Sequence, residues 1–420
     1  MMRHKVLVCA YSCVSESGVK NIGGEAELGW NIIKQLSRFF DVYVLTHSHN
    51  QKSIEELLAK EKISDVHFFY TKLPTAFSFL EKFHKGGIQI YSYLWQIKAY
   101  FIAKKLHKKN HFDVFHHVTY ANDWMASYIG ALLPIPYLRG PGGGAHFVPK
   151  EFVKEYSLKE KLAEKIRSIG QWLFRHDPFF IIGQNKARAI LVCNKEAFNA
   201  LPEKWQKKSS FFPVNGVLIE KSHLIKNKAF DKDFLTLSAG KLLKIKGFDI
   251  AIKSFKNFSE HSSNSKLIIA GDGPELNNLK KLAEDLGIKD KVIFKGWLNH
   301  KNLIEEIDNT DVFLFCSLRD GGGAVVVEAM AKGKPVVCFD FAGPGFHIDE
   351  KCGIKIKPEN PKQAINDISK ALEKLYSNKE YRISLGINAR KKAETEYDWN
   401  KLGDRLNEIY IATLNNKEIL

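Results

Sequence analysis

The chain has 420 residues, which exceeds the size at which a single hydrophobic core keeps growing, so we expect two domains. Its 45% hydrophobic and 26% charged residues are ordinary values for a globular protein. No apolar run approaches the roughly 20 residues that span a bilayer, and the amino terminus turns polar too quickly for a signal peptide. The six cysteines show no paired spacing, which favours buried thiols over disulfides and indicates a cytoplasmic protein.

The net charge of +16 is unevenly distributed along the chain. Residues 1–215 carry 30 Lys and Arg against 18 Asp and Glu, whereas residues 216–420 carry 33 against 29. This excess predicts an anionic partner for the first half, and an acidic membrane surface is one candidate. We expect no nucleic-acid partner, because the excess is diffuse and no recognition motif accompanies it. A generally lysine-rich proteome is the alternative explanation.

In the first half, β-branched runs alternate with amphipathic stretches, a pattern typical of parallel α/β domains. It predicts a glycine loop at Gly23-Gly24, a helix over 25–38, and strands over 5–10, 41–46, 114–118, 136–139 and 189–193. Residues 76–109 are aromatic and basic, which suggests contact with lipid headgroups. A helix packed on its own domain explains the same aromatic residues.

The second half repeats the βα unit more clearly. Strands are predicted over 234–239, 266–270, 292–295, 312–316 and 335–339, with helices over 247–258, 275–286, 302–307 and 325–331. This is the pattern of one complete doubly wound domain. The domain boundary is placed near the turn dipeptide Asn215-Gly216.

The segment RDGGGAVVVEAMAKGKPVV begins at Arg319 and carries the clearest functional signal. Three glycines after a strand let backbone amides approach a ligand, and the following helix amino terminus favours an anion. Asp320 and Glu328 flank this loop, and carboxylates accept hydrogen bonds from the hydroxyls of a sugar or ribose. A helix-capping Asp320 with a solvated Glu328 is the alternative.

The segment SAGKLLKIKG places Lys241 and Lys246 just after the first strand of the second half. The carboxyl end of that strand is where doubly wound domains bind ligands. The ammonium groups of Lys241 and Lys246 there would neutralise a diphosphate, including the charge that grows as a glycosidic bond breaks. Solvated loop lysines are the alternative.

With these motifs, the second half resembles the family-4 retaining glycosyltransferases, the group 1 type with two Rossmann-like domains. In that family a Gly-Arg-Leu segment and a later Lys-Gly bind the donor diphosphate, and Gly240-Lys241-Leu242 and Lys246-Gly247 match them. The family's Glu-x7-Glu motif binds the donor sugar and then the ribose, and Asp320 and Glu328 match it. IAGDGPE and FKGWL also look like family landmarks, and the latter implies Trp297 near the nucleobase.

The resemblance covers residues 234–345 strongly and the first 200 residues more weakly, where HHVTY and GPGGG look like a bacterial surface-polysaccharide branch. It implies an α/β fold of the GT-B type, in which two Rossmann-like doubly wound domains face each other across a cleft. Residues 1–215 would form the acceptor domain and 216–396 the donor domain. Residues 397–420 would form a helix that crosses back to the first domain.

The resemblance also implies roles for particular residues. Donor binding is predicted for Gly23, Gly24, Gly240, Gly321, Gly322, Gly323, Ala324, Val325, Glu328 and Trp297. Catalytic roles are predicted for Lys241, Lys246, Asp320 and His117, and acceptor contacts for His116 and His146. Many family members carry a first-domain histidine where this chain has Gly140-Pro141, and the three histidines are candidates because they lie nearby. A structural role is the alternative for each.

Two departures from the family bear on these roles. Lysine in place of arginine at 241 loses the bidentate fork and leaves a point charge, so diphosphate binding becomes less directional. Aspartate in place of glutamate at 320 shortens the side chain by one methylene, which changes the sugar hydroxyls within reach.

The prediction is a retaining glycosyltransferase that moves a sugar from a nucleotide-diphosphate-sugar to a glycan or lipid-linked acceptor in polysaccharide biosynthesis. It needs no cofactor and no metal, because lysines take the metal's role, and Asp231-Lys232-Asp233 is interpreted as a chance match to a metal motif. A cytoplasmic location with peripheral contact at the inner face of the cell membrane is expected. The alternatives are a nucleotide-sugar 2-epimerase, a sugar phosphorylase, or a non-catalytic sugar-nucleotide-binding partner.

Overall fold

A computed structural model describes residues 3–13, 24–61, 63–77, 79–80, 87–219 and 233–417 of the chain. Two compact units are present. The first comprises residues 1–145, 162–214 and 399–420, and the second comprises residues 146–161 and 215–398. The chain therefore leaves the first unit twice, and residues 146–161, which the sequence predicts in the first domain, pack with the second.

The first unit is built on a seven-stranded parallel sheet with strand order β3-β2-β1-β4-β5-β6-β7. Its strands are β1 Lys5–Ala10, β2 Asp41–His47, β3 Val66–Thr71, β4 Val114–Thr119, β5 Tyr137–Gly142, β6 Ala187–Val192 and β7 Ser209–Phe211. The central strands β1 and β4 are buried along nearly their whole length, as expected where helices cover both faces of a parallel sheet.

Helices cover this sheet on two sides and enclose two hydrophobic clusters. They span Gly24–Ser37, Gln51–Glu61, Gly87–Asn110, Tyr128–Leu132, Pro178–Lys186, Lys195–Asn199 and Glu203–Gln206. The helix Leu158–Arg175 begins among residues of the second unit and continues in the first, and Gln171 is its one buried residue. The last helix of the chain, Trp399–Leu414, also belongs to this unit and packs Trp399, Leu402 and Tyr410 into the cluster that contains β1 and β2.

The second unit has a six-stranded parallel sheet with order β10-β9-β8-β11-β12-β13. Its strands are β8 Phe234–Ala239, β9 Ser265–Ala270, β10 Val292–Gly296, β11 Val312–Phe315, β12 Val336–Phe339 and β13 Gly353–Ile356. Its helices are Lys150–Val153, Phe248–Ser259, Leu276–Asp285, His300–Asp308, Ala324–Ala331, Ala342–His347, Pro361–Ser377 and Lys379–Lys392.

Both sheets are parallel, carry helices on their faces and reverse strand order beside their first strand, so the prediction of two Rossmann-like doubly wound units is confirmed. All six cysteines are buried thiols, as expected from their apolar surroundings. Among the residues described, no helix is both long enough and apolar enough to cross a bilayer.

The aromatic stretch in the first half forms the helix Gly87–Asn110. Its Tyr91 and Trp95 side chains are buried in a core cluster, and the Trp95 indole N–H donates to the Thr71 carbonyl at 2.9 Å. Packing on its own domain, which was the alternative to lipid contact, therefore accounts for these two large aromatic residues.

Candidate functional site

The site in the second unit lies where the strand order reverses. β8 has β9 on one side and β11 on the other, so the chain leaves the carboxyl ends of β8 and β11 in opposite directions along the sheet. In open α/β sheets this point leaves a crevice in which ligands bind. The loop of residues 240–247 follows β8, and the glycine loop of residues 316–323 follows β11.

The β8 loop is held tightly against the sheet. The Gly240 N–H donates to the Ala270 carbonyl, and the exposed Lys241 follows it directly. The loop ends in a short turn, Lys244–Lys246, and Gly247 then adopts φ +67°. A Cβ at Gly247 would lie 2.1 Å from the Cys316 carbonyl oxygen. Both this close approach and the positive φ require glycine at this position.

We predict that Gly247→Ala lowers the melting temperature and weakens nucleotide binding, because relief of the clash must displace Lys246. Gly287→Ala is the matched control. Gly287 has φ +68° but nothing within 4 Å of its would-be Cβ, so it shares the backbone strain without the clash. Strain at such a position costs about 1–3 kcal/mol. Thermal unfolding of both variants, with and without UDP, checks the prediction; equal losses in the two would contradict it.

Lys246 and Asp320 form an ion pair across the switch point, with 2.5 Å between Lys246 Nζ and Asp320 Oδ2. Both side chains are about four-fifths buried. The two loops are also joined through their backbones, since the Leu318 N–H donates to the Ile245 carbonyl at 2.9 Å. The ion pair therefore places a positive charge and a carboxylate side by side, and each of the two loops that carry them supports the other.

The other oxygen of Asp320 organises the glycine loop. Oδ1 accepts from the backbone N–H groups of Gly323 at 2.7 Å and Gly322 at 3.2 Å. Burial alone would raise the pKa of this carboxyl group, but Lys246 and the two amides outweigh it and lower the pKa. Asp320 is thus ionised and holds the loop just before the helix Ala324–Ala331, whose cap residue is Gly323 and has no side-chain cap, so the helix-capping alternative does not describe its role.

His347 also supports the glycine loop. The sequence had not indicated that this residue belongs to the site. Its Nε2–H donates to the Gly322 carbonyl, and its Nδ1 accepts from the Tyr397 hydroxyl at 3.0 Å. Burial lowers the pKa of this imidazole to about 4, so it is neutral near pH 7. Its position at the end of Ala342–His347, just after β12, is the signal that would have pointed to it.

The lowered pKa of His347 predicts a pH dependence of stability. The unfolded state binds a proton below about pH 6.5, whereas the folded state resists it down to about pH 4. Stability is therefore fully present above pH 6.5 and is lost as the pH falls through this window, by on the order of 3 kcal/mol. His347→Gln keeps a donor for Gly322 but does not titrate. Urea unfolding at pH 7 and pH 4.5 should show a smaller loss in the variant; an unchanged loss would contradict this account.

Glu328 lies on the helix that follows the glycine loop, one turn after Ala324 and Val325 begin it. Its carboxylate contacts the His300 imidazole, with 3.1 Å between Oε1 and Nε2. The Glu328 side chain is 16% exposed, whereas that of His300 is 53% exposed. Glu328 therefore presents an oriented acceptor at the surface, and His300 is a second residue that sequence reasoning missed.

Trp297 follows the carboxyl end of β10, and half of its surface is exposed. Its indole face is therefore available for stacking, as the predicted nucleobase contact requires. Gly24 is exposed at the start of the helix Gly24–Ser37 in the first unit, and Gly23 lies outside the described residues.

The predicted histidines occupy different places. His116 and His117 lie within β4 of the first unit and are fully buried. Both ring nitrogens of His116 are engaged, by the Tyr410 hydroxyl at 2.7 Å and the Gly140 carbonyl at 2.6 Å, and burial lowers its pKa to about 3. His117 contacts Gln96 at 2.8 Å, and burial lowers its pKa as well. These positions do not support substrate contact and fit the structural alternative.

His146 has a different setting, in the second unit beside the glycine loop. A Cβ at Gly321 would lie 3.5 Å from its Cε1 atom, and its ring packs edge-on against Phe341. Of the three predicted histidines, His146 is therefore the one that lies next to predicted donor-site residues.

Comparison with known proteins found a matching family model and similar proteins. Residues 220–392 match the family model described as Glycosyl transferases group 1. An uncharacterized glycosyltransferase of Methanocaldococcus jannaschii is 26% identical over an alignment of 343 positions that covers 74% of this chain and 80% of that protein.

Two solved structures share the fold over nearly the whole chain. A glycosyltransferase from Rickettsia africae has a TM-score of 0.67 at 15% identity and covers 99% of this chain and 100% of its own. Anabaena HepE, solved in complex with UDP and glucose, has a TM-score of 0.61 at 17% identity, covering 97% and 100%.

Proposed function

We propose that this chain, whose residues 220–392 match the glycosyl transferases group 1 model, transfers a sugar from a nucleotide-diphosphate-sugar with retention of anomeric configuration. The observation that carries the proposal is the Lys246–Asp320 pair above the glycine loop, at the point where doubly wound sheets bind ligands. A sugar diphosphate needs a cation for its phosphates and acceptors for its hydroxyls, and this point offers both.

In the proposed complex, Lys241 and Lys246 stabilise the diphosphate as its negative charge grows. Asp320 orients Lys246 and, with the loop Gly321–Gly323, positions the sugar. Glu328 accepts hydrogen bonds from the ribose hydroxyls, while Trp297 stacks on the base. UDP is the first nucleotide to test, because Anabaena HepE shares the fold and was solved with UDP and glucose.

The proposed step breaks the bond from the anomeric carbon to the diphosphate oxygen and forms the bond to the acceptor oxygen on the same face. The proton of the acceptor hydroxyl passes to an oxygen of the departing diphosphate. We assign to His146, which lies beside Gly321, a contact with the sugar or the incoming acceptor. Lysine charges substitute for a metal ion in this scheme, so transfer should persist in EDTA.

The proposed acceptor is a glycan or a lipid-linked intermediate of polysaccharide biosynthesis. The support for it is the charge of +12 on residues 1–215, calculated as 30 minus 18, which suits an acceptor that carries phosphate.

The test is thermal unfolding with UDP, GDP and ADP, each alone and as its sugar conjugate. A ligand at 100 times its Kd stabilises the folded state by about 2.7 kcal/mol, so the cognate nucleotide should raise the melting temperature clearly. The stabilising sugar nucleotide should then be hydrolysed slowly without an acceptor, in the presence of EDTA. No stabilisation by any of them would contradict the proposal, and an isomerised sugar nucleotide would indicate an epimerase instead.

A further inference from the structure

The helix Leu158–Arg175 exposes its apolar face and turns its polar face toward the protein. The exposed apolar side chains recur every three or four residues, which places them on one stripe of the helix. Each is between 50% and 86% exposed: Leu158, Leu162, Ile166, Ile169, Trp172 and Leu173. A surface helix of a globular protein shows the opposite arrangement.

The polar face is held by specific contacts, so the orientation of the helix is fixed. Gln171 is 2% exposed, and its amide donates to the Gly144 carbonyl at 3.0 Å. The Arg167 guanidinium donates to the same carbonyl at 2.9 Å. At the amino terminus, the Ser157 hydroxyl accepts from the Glu160 N–H while the Glu160 carboxylate accepts from the Ser157 N–H, which is a capping box.

The charged side chains of this helix are also segregated between its two faces. At 100° per residue, Lys165 falls within the apolar stripe, and Lys159 and Lys161 border it on either side; all three are exposed. Glu160 and Glu164 fall on the other side of the helix, and Glu164 is partly buried. The outward face is therefore apolar and rimmed with positive charge only.

We propose that this outward face, the stripe from Leu158 to Leu173 with its three lysines, docks on an anionic lipid surface. An amphipathic helix in the plane of a membrane buries an apolar stripe at the acyl boundary while lysines contact acidic headgroups. Trp172 suits the interface, since indole has an apolar body and a polar N–H. The helix is about 27 Å long and exposes this stripe along its length.

A second copy of the chain fits this face less well. In a two-fold arrangement the same patch meets itself, which would bring the three lysines of one stripe against those of the other. The aromatic stretch predicted for lipid contact is a weaker candidate, because its helix buries Tyr91 and Trp95. The inference goes beyond the proposed function and does not depend on the identity of the donor or acceptor.

The test is co-sedimentation of the full chain with vesicles of phosphatidylcholine alone and of phosphatidylcholine with phosphatidylglycerol. The unaltered protein should bind the anionic vesicles, less so at high salt. The double variant Ile166→Ser/Trp172→Ser should bind at least tenfold more weakly, because each lost side chain removes apolar burial. Ile387→Ser is the matched control, since Ile387 is also a half-exposed isoleucine of a helix, in the second unit.

Circular dichroism and melting temperature should be unchanged in all variants, because the replaced side chains are exposed. Failure of the unaltered protein to bind anionic vesicles would overturn the proposal, and so would an equal loss in Ile387→Ser. Sedimentation velocity tests whether a second copy of the chain occupies this face instead. A dimer that becomes a monomer in Ile166→Ser/Trp172→Ser would assign the face to a second copy and overturn the lipid proposal.

Discussion

Replacing Lys246 with alanine is expected to lower kcat for sugar transfer by about 100- to 1000-fold, the loss typical when one group that stabilises transition-state charge is removed. Lys246 lies at the switch point with its charge fixed by Asp320 at 2.5 Å, so little reorganisation is needed as the diphosphate departs. The donor KM should change less, because the charge on the bridging oxygen grows only in the transition state. Steady-state kinetics with the stabilising sugar nucleotide measures both parameters.

Lys244→Ala is the matched control for this change. Lys244 lies in the same short turn and is similarly buried, but it pairs with Asp249 at 2.7 Å instead of Asp320. It should retain kcat within a few-fold. Loss of Lys246 also removes the attraction that lowers the pKa of Asp320, so residual activity of Lys246→Ala should fall at a higher pH on the acid side than that of the unaltered enzyme. Full activity of Lys246→Ala would show that Lys246 does not stabilise the departing diphosphate.

The sequence pattern located the interior strands well and missed three of the four strands at sheet edges. β3, β7 and β13 were not predicted, whereas the edge strand β10 was. An interior parallel strand is buried on both faces and forms a continuous apolar run, as Val6–Ala10 does. An edge strand mixes polar and apolar residues, and β7 has three residues, so neither periodicity nor length separates it from a loop.

Asp320, Glu328 and the glycine loop could be singled out as a candidate site from the sequence because they lie close together in the chain. His347 and His300 act on that site from other elements, and a contact across 25 or more residues leaves no local pattern. His116 and His117 were singled out because they lie beside a predicted site. β4 buries both side chains, and both ring nitrogens of His116 have hydrogen-bond partners, which is how a strand interior accommodates a neutral imidazole.

For the helix Leu158–Arg175, the sequence pattern did not reveal which face is buried. Its apolar residues recur at helical spacing, which ordinarily predicts a stripe that faces the core. The periodicity is real, but Gln171 and Arg167 bind the Gly144 carbonyl and rotate the stripe outward. Which face of an amphipathic helix is buried depends on tertiary contacts, so the periodicity of this helix did not indicate from the sequence that its apolar stripe is exposed.

Replacing Glu328 with alanine is expected to raise the donor KM by about 10- to 100-fold with a smaller change in kcat. A hydrogen bond from a hydroxyl to a carboxylate contributes about 1.5–3 kcal/mol, and the ribose does not react, so its binding is nearly equal in ground and transition states. Glu306→Ala is the matched control, because Glu306 is 19% exposed against 16% for Glu328 and pairs with Lys295 elsewhere in the same unit. A 2′-deoxyribose donor should bind the unaltered enzyme more weakly but Glu328→Ala no more weakly than its ribose counterpart. Equal discrimination in both enzymes would mean that Glu328 does not contact the ribose.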